Sequence, residues 1–385
     1  MSSVSSNDDR AHDGHEAHAS THSVDDVRFM RRAIALAERG AGQVAPNPKV
    51  GAVLVRDGQV VGEGWHQQYG GPHAEVHALA AANALAPNAV RGATAYVSLE
   101  PCNHHGKTPP CTEALIAAGV ARVVCATRDP NPKASGGIER LEAAGIAVTV
   151  GVCEHEALVQ NAPFFHAAKG ADRPFVTLKL AVSIDGAIVD ASRQRGWLTG
   201  PQAHAAVHAL RADADAVAVG IGTALADDPA LTVRLVDAPR IAPRRVVFDR
   251  RGRLPLDSAL VRTAGEIPVS VITHDPRPVG AEALADAGVQ VLEAAGLADA
   301  LRTLWAEGVR HLLVEGGAEL GSALLQAGLV HHLIIFQAPV ILGAGAVSAF
   351  ATFPAAVADS APRLRVLERR VFGDDLMTRY AVFGD

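Results

Sequence analysis

Short apolar runs alternate with helix-patterned segments along almost the whole chain, in two separate series. The first series reads "VGAVLVRD", "QVVGEG", "ATAYVSLE", "ARVVCATRD" and "GIAVTVGV", with helical patterns starting near His73, Thr112 and Ile138. The second starts at "RPFVTLKLAVS" and runs through "ADAVAVGIGT", "RRVVFD", "IPVSVITH", "VQVLEA", "HLLVEGG", "HHLIIFQAPVI" and "MTRYAVF". Strands that alternate with helices imply an α/β layer fold. Two such series in 385 residues, more than one core usually spans, predict two α/β domains. The segment "EHEALVQNAPFFHAAKGADRP" between them reads as helix and linker, which puts the boundary near Lys169 to Arg173. The expected division is thus 25–170 and 171–385. Residues 1–24 are polar, carry His12, His15, His18 and His22, and are expected to form a disordered tail. Order is expected to begin with an amphipathic helix, "VDDVRFMRRAIALAERG", ending at Gly40.

A net charge of −6 is the wrong sign for a nucleic-acid binder. No apolar run has the length of a membrane span, and the polar, acidic start lacks a signal-peptide core. A cytoplasmic setting is the expectation. Four cysteines do not make a disulfide framework. Cys125, inside "RVVCAT", reads as a core residue, and Cys153 carries no reading.

The stretch "GPHAEVHALAAANAL" sets His73 and His77 one helical turn apart with Glu75 between them. Helical zinc proteases need H-E-x-x-H, and here the glutamate is one place late. One residue turns a helical side chain by about 100°, so the protease geometry is not reproduced. The H-x-E order instead matches zinc deaminases, where P-C-x-x-C follows downstream. Here "LEPCNHHGKTPPC" supplies Cys102 and Cys111 at a longer spacing. His73, Cys102 and Cys111 form a Cys₂His set that leaves the fourth zinc position for water. His73 and Cys111 each open a helix, where the partial positive charge favours a thiolate. Glu75 is placed to take the water's proton and pass it to the leaving amine. The competing view makes His73 a core histidine and the cysteines unrelated. His77 reads as a packing or supporting residue.

These residues resemble the bifunctional riboflavin-biosynthesis deaminase–reductase family over about residues 25 to 380. The resemblance rests on "APNPKVGAVLV", "GEGWHQQYGGPHAEVHAL" and "SLEPCNHHGKTPPCTEALIAAGV" in the first half. In the second half it rests on "KLAVSIDGAI", "GWLTGPQAHAAVHALRADADAVAVGIGTALADDPALTVR", "VEGGAELGSALL" and "QAPVILG". It implies a cytidine-deaminase-like α/β/α domain followed by a dihydrofolate-reductase-like α/β domain. It implies one Zn²⁺, NADPH and a small pyrimidine-nucleotide substrate, with no nucleic acid or membrane partner and a homo-oligomeric state. Asn47, His66, His104 and Lys107 are carried to the deaminase substrate. Ala181, Trp197, Thr223, Asp227 and Gly317 are carried to NADPH, and Arg211, Leu231, Arg234 and Glu315 to the sugar phosphate. On residues alone, Lys107 reads equally as a surface lysine. Gly316-Gly317 could be an ordinary strand–helix turn, and Asp227 or Asp228 could be a structural cap before Pro229. Arg195 departs from the small hydroxyl residue that the family usually has two places before the tryptophan.

The implied activity is hydrolysis of the ring 2-amino group of a diaminopyrimidinone ribosylamine phosphate, followed by reduction of its ribosyl side chain. A nucleic-acid-editing deaminase would need basic surface and stacking aromatics, and aromatics are only 4% here. A nucleotide-sensing module without catalysis is the non-enzymatic alternative.

Overall fold

The computed structural model describes residues 22–105, 109–193, 196–274, 280–350, 352–354, 356–357, 359 and 361–382. The expected tail, Lys107 and Arg195 therefore fall wholly or mainly outside the described residues. The first helix, α1 (Val24–Ala37), starts where Ser23 Oγ accepts the Asp26 N–H at 3.0 Å. A single 3₁₀ turn extends it to Gly40, the expected end.

The first half continues with β1 (Gly51–Arg56), β2 (Gln59–Trp65) and α2 (Ala74–Leu85). Next come β3 (Thr94–Val97), α3 (Cys111–Ala118), β4 (Arg122–Cys125), α4 (Gly137–Ala143) and β5 (Ala147–Val150). The strands form one sheet in the order β2-β1-β3-β4-β5. β1 is antiparallel to β2 and β3, while β3, β4 and β5 run parallel. The β1–β2 turn is Asp57-Gly58, both at positive φ, a pair suited to a tight hairpin. Alternation along the strands sorts side chains between two cores. Ala52, Leu54, Val97 and Val123 pack with α2, α3 and α4 residues; Val53, Tyr96 and Val124 pack with Phe29 and Met30 of α1. The result is three layers. Cys125 is fully buried, as expected.

Helix α2 lies unusually close to β2. A Cβ on Gly64 would sit 2.5 Å from the Ala74 carbonyl oxygen, and one on Gly62 would sit 2.3 Å from that of Ala78. These two glycines are a contact surface rather than turn residues.

Two short helices, α5 (Glu154–Gln160) and α6 (Ala162–Ala168), lead to the second half. It opens with β6 (Phe175–Val182), β7 (Ala187–Val189), α7 (Pro201–Ala212), β8 (Ala216–Gly220) and α8 (Ile221–Asp227). Then follow β9 (Arg244–Phe248), α9 (Ala259–Arg262), β10 (Val269–Thr273), α10 (Ala281–Asp286) and β11 (Gln290–Glu293). The chain ends with α11 (Leu297–Ala306), β12 (His311–Glu315), α12 (Ala318–Gln326), β13 (His332–Gln337), β14 (Val347–Ser348), β15 (Arg365–Phe372) and β16 (Asp375–Ala381). The large sheet runs β11-β10-β9-β8-β12-β6-β13-β16-β15. Its strands from β11 to β13 are parallel, and β16 and β15 are added antiparallel. The central strand β8 is buried on both faces from Ala216 to Val219 and reads as a continuous apolar run. No helix among the described residues is long and apolar enough to cross a membrane.

Candidate active sites

Three elements bring the metal set together. His73 caps the start of α2, Cys102 lies in the loop after β3, and Cys111 opens α3 behind Pro110. His73 Nδ1 stands 3.5 Å from Cys102 Sγ and 3.3 Å from Cys111 Sγ. Tetrahedral zinc with ordinary Zn–S and Zn–N bonds would separate such atoms by about 3.5 Å. The donor set therefore fits the ion. Among the described residues, no other histidine, cysteine and carboxylate group converges in this way. The Cys111 thiol and His73 draw the Cys102 thiol down, toward the thiolate. Cys111, beside that thiolate and buried, is pushed up. Metal binding would release its proton.

Glu75 sits in the first turn of α2, 3% exposed and within hydrogen-bond reach of the Cys111 thiol. Burial, then the Cys102 thiolate, raise its carboxyl to about 7. His66 Nδ1–H donates to the Pro72 carbonyl at 3.0 Å, which leaves Nε2 to accept from Asn47 Nδ2 at 3.2 Å. The His66 ring meets His73 edge-on at 5.3 Å. Asn47 and His66 thus stand beside the metal set. His104 follows Cys102 by two residues, and its Nδ1 is buried without a partner. His77, one turn on from His73, packs over Gly64.

The second site is a cavity of about 1460 Å³ at the carboxyl ends of β6, β8, β9, β10 and β12. Ligand crevices in parallel sheets lie at this end. All nine expected reductase residues line it: Ala181, Trp197, Thr223, Asp227, Gly317, Arg211, Leu231, Arg234 and Glu315. Gly316 and Gly317 both take positive φ, and a Cβ on Gly317 would lie 3.1 Å from Thr223 Oγ1. The turn thus exposes backbone at the start of α12, which can approach a phosphate. Asp227 and Asp228 both line the cavity, and Asp228 also has a structural contact, its Oδ1 accepting the Ala259 N–H at 2.7 Å.

Arg211, carried to the sugar phosphate, lines the cavity but is already paired. Its Nε and Nη2 reach Glu315 at 2.5 and 3.0 Å, and its Nη1 reaches the Thr232 carbonyl at 2.9 Å. Lys179 Nζ lies 3.5 Å from the same carboxylate. Burial alone would raise Glu315; Lys179 and Arg211 outweigh it and hold the carboxylate at about 2. Arg234 is the more exposed arginine, with Nη1 on Thr232 Oγ1 at 3.0 Å.

The sequence matches the family description "RibD C-terminal domain" over residues 174–378, more than half the chain. The chain belongs to the RibD family. Residues 23–127 match the "Cytidine and deoxycytidylate deaminase zinc-binding region", which contains the whole metal set. The riboflavin biosynthesis protein RibD of Escherichia coli (strain K12) is 41% identical over 372 residues, 92% of this chain and 98% of that one. That of Aquifex aeolicus (strain VF5) is 43% identical over 323 residues, 83% of this chain and 88% of that one. A solved Acinetobacter baumannii RibD superposes with TM-score 0.75 at 40% identity, covering 94% of this chain and 99% of that one. The deaminase/reductase of Thermotoga maritima superposes with TM-score 0.78 at 35% identity, covering 93% and 99%. The chain is thus an enzyme of riboflavin biosynthesis, with a zinc deaminase half and a reductase half.

Within this RibD frame, sequence reading passed over three supporting residues. Glu100, 3% exposed, accepts N–H groups of Gly136, Gly137 and Ile138 on Oε1 and of Asp129 on Oε2. It pins the loop that lies under Cys102. Lys179 is a charge inside an otherwise apolar strand, which was the available signal. His208, pushed down to about 4 by burial and by Arg211 and Arg234, stays neutral and accepts the Arg234 N–H on Nδ1 at 3.1 Å.

Proposed function

We propose that the chain deaminates 2,5-diamino-6-(5-phosphoribosylamino)pyrimidin-4(3H)-one and then reduces the product with NADPH to 5-amino-6-(5-phosphoribitylamino)uracil. The observation that carries this reading is the pairing, in one chain, of a Cys₂His set beside a buried glutamate with a long cavity built around a Gly-Gly turn. We assign residues 25–170 to the first step and 171–385 to the second, in a homo-oligomer.

In the first half His73, Cys102 and Cys111 hold zinc, which supplies a Lewis acid for water activation. Glu75 takes the proton from the attacking water and returns it to the departing amine. Its burial suits both halves of that task, because a carboxyl raised toward neutrality both accepts and releases a proton readily. Asn47 and His66 orient the pyrimidine edge, and His104 and Lys107 meet the ribose phosphate.

In the second half Gly317 presents backbone N–H to the cofactor pyrophosphate, and Ala181, Trp197, Thr223 and Asp227 line its bed. NADPH supplies the hydride. Arg234 faces the substrate phosphate, and a guanidinium suits a phosphate monoester through two parallel hydrogen bonds. Arg211 acts through Glu315, which it holds ionised at the sugar, with Leu231 shaping the wall.

The test follows ammonia release and NADPH oxidation separately on the purified chain. A zinc chelator should stop ammonia release yet leave NADPH oxidation with deaminated substrate intact. NADPH oxidation lost with the metal, or absent altogether, would contradict the two-site assignment and favour a binding module.

A further inference from the structure

A lysine buried between the two halves has no part in either set of site residues. Lys49 closes the loop 41–49, and its side chain is only 10% exposed. Its Nζ reaches Asp213 Oδ2, in the other half of the chain, at 2.7 Å, with Glu38 Oε2 at 3.8 Å. Burial works against the ammonium, but Asp213 and Glu38 outweigh it and hold Lys49 above its ordinary value. The backbone of Lys49 is clamped as well. Its N–H donates to Asn161 Oδ1 at 2.8 Å, and its carbonyl accepts from Asn161 Nδ2 at 2.9 Å.

The rest of the loop also rests on the second half. Gln43 Nε2 donates to the Ala238 carbonyl, while Arg240 donates from its backbone to Gly42 and from its side chain to the Ala45 carbonyl. A Cβ on Gly42 would meet the Ala212 carbonyl at 2.8 Å, so the loop touches the end of α7 itself. Asp213 is fixed in turn, because His311 Nδ1–H donates to its carbonyl at 3.1 Å.

Both partners stand two residues from a proposed site residue. Before Lys49 comes Asn47, whose amide meets His66 next to His73. Before Asp213 comes Arg211, locked on Glu315. We propose that Lys49 is a positioning residue for both reactions: its ion pair with Asp213 seats the Asn47 loop on the end of α7 and so sets Asn47 and Arg211 together. This rests on the reading that Asn47 and Arg211 serve the two sites. Gln43 and Arg240 still anchor the loop without the pair, so its loss tilts the loop rather than freeing it. The effect is therefore on substrate binding more than on the chemical step.

The test uses the full-length, zinc-loaded chain as K49M, D213N and the double variant, with K49R as the charge-preserving form. Deaminase and reductase KM and kcat, zinc content and melting temperature are read for each. K49M should raise the reductase KM, and D213N the deaminase KM, each about two- to thirty-fold. The expected kcat values stay within about two-fold, and zinc stays full. The double variant should be no worse than the poorer single one, because both break the same contact. K49R should restore most of the loss, which a packing role would not predict. If each single variant disturbs only its own half, or if the two effects multiply, the proposal is overturned. Should K49M fail to fold, D213N decides alone, since its side chain is 31% exposed; an unchanged deaminase KM then overturns it. Asn47→Ala and Arg211→Ala are read in their own halves. If they leave KM unmoved, the site assignment fails and takes the coupling with it. If they raise KM while K49M and D213N are silent, the coupling alone fails.

Discussion

Replacing Gly64 with alanine should disable deamination from a position that touches no substrate. The added Cβ would lie 2.5 Å from both the Ala74 carbonyl oxygen and the Ala78 amide nitrogen, and 2.6 Å from the His77 Cβ. Ordinary contact begins near 3.4 Å, and real Cβ atoms essentially never approach within 3.0 Å. Helix α2 must therefore retreat from β2 by between about 0.5 and 0.9 Å, since the crowded atoms are its own backbone rather than the end of a flexible side chain. Overpacking of this kind costs about 1–3 kcal/mol. The larger consequence is geometric. Ala74 lies between His73 and Glu75, so the shift is applied where a ligand of the metal set and the proposed proton carrier sit on the helix. A misplacement near 1 Å at a reacting centre costs on the order of 10² in rate. Ammonia release should fall by about that factor, zinc should be lost on dialysis, and NADPH oxidation with deaminated substrate should be unchanged. Gly145→Ala is the comparison, because that glycine has φ +81° with nothing within 4 Å. It should lower the melting temperature through backbone strain of roughly 1 kcal/mol yet keep zinc and deamination. Full zinc and deamination within threefold of the parent in Gly64→Ala would refute the reasoning.

Glu75→Gln should retain zinc and lose about 10² to 10⁴-fold in deamination, read by ammonia release alongside metal analysis. Cys102→Ser and Cys111→Ser should each lower zinc content, while Cys125→Ser, buried in β4 away from the set, should not. Arg234→Ala should raise the reductase KM with no change in melting temperature. Arg211→Ala should also lower the melting temperature, though by less than the about 3–5 kcal/mol of a buried charge left wholly unpaired, because Lys179 stays on Glu315; an unchanged melt would count against the Arg211 pairing. His331 and His332 are both held down to about 3, chiefly by burial, with His331 Nδ1 accepting the Val176 N–H. Their folded values lie below the unfolded one near 6.5, so the unfolded chain takes up protons first. Stability should therefore fall as pH drops from about 6.5 toward 3, and His332→Gln should flatten that slope in acid melts.

The metal site was legible because each ligand stands at an element boundary that the sequence marks: Gly71-Pro72 before His73, Pro101 before Cys102, Pro109-Pro110 before Cys111. The two sheets were legible from their apolar runs. Strand order was not, because β12 enters between β8 and β6 and gathers cavity residues from distant segments. Arg211 shows the cost. Its sequence suits a phosphate clamp, and only the fold reveals the carboxylate already bound to it. The Lys49–Asp213 pair joins residues 164 positions apart and leaves no local pattern. Gly62 and Gly64 look like breakers inside a strand, yet their role is set by a helix that follows them.

The place of β6 has a consequence for how the chain is made. Its neighbours are β12 and β13, which emerge from the ribosome long after it. The five strands of the first sheet, by contrast, are all complete by Val150. The zinc half can therefore finish folding while β6 waits, its apolar edges unpaired, for nearly the whole of the second half to be translated. Parallel pairing across so many residues is intrinsically slow and exposes the chain to aggregation. Arrested nascent chains ending before His311 should already hold metal and still lack a protease-resistant second half.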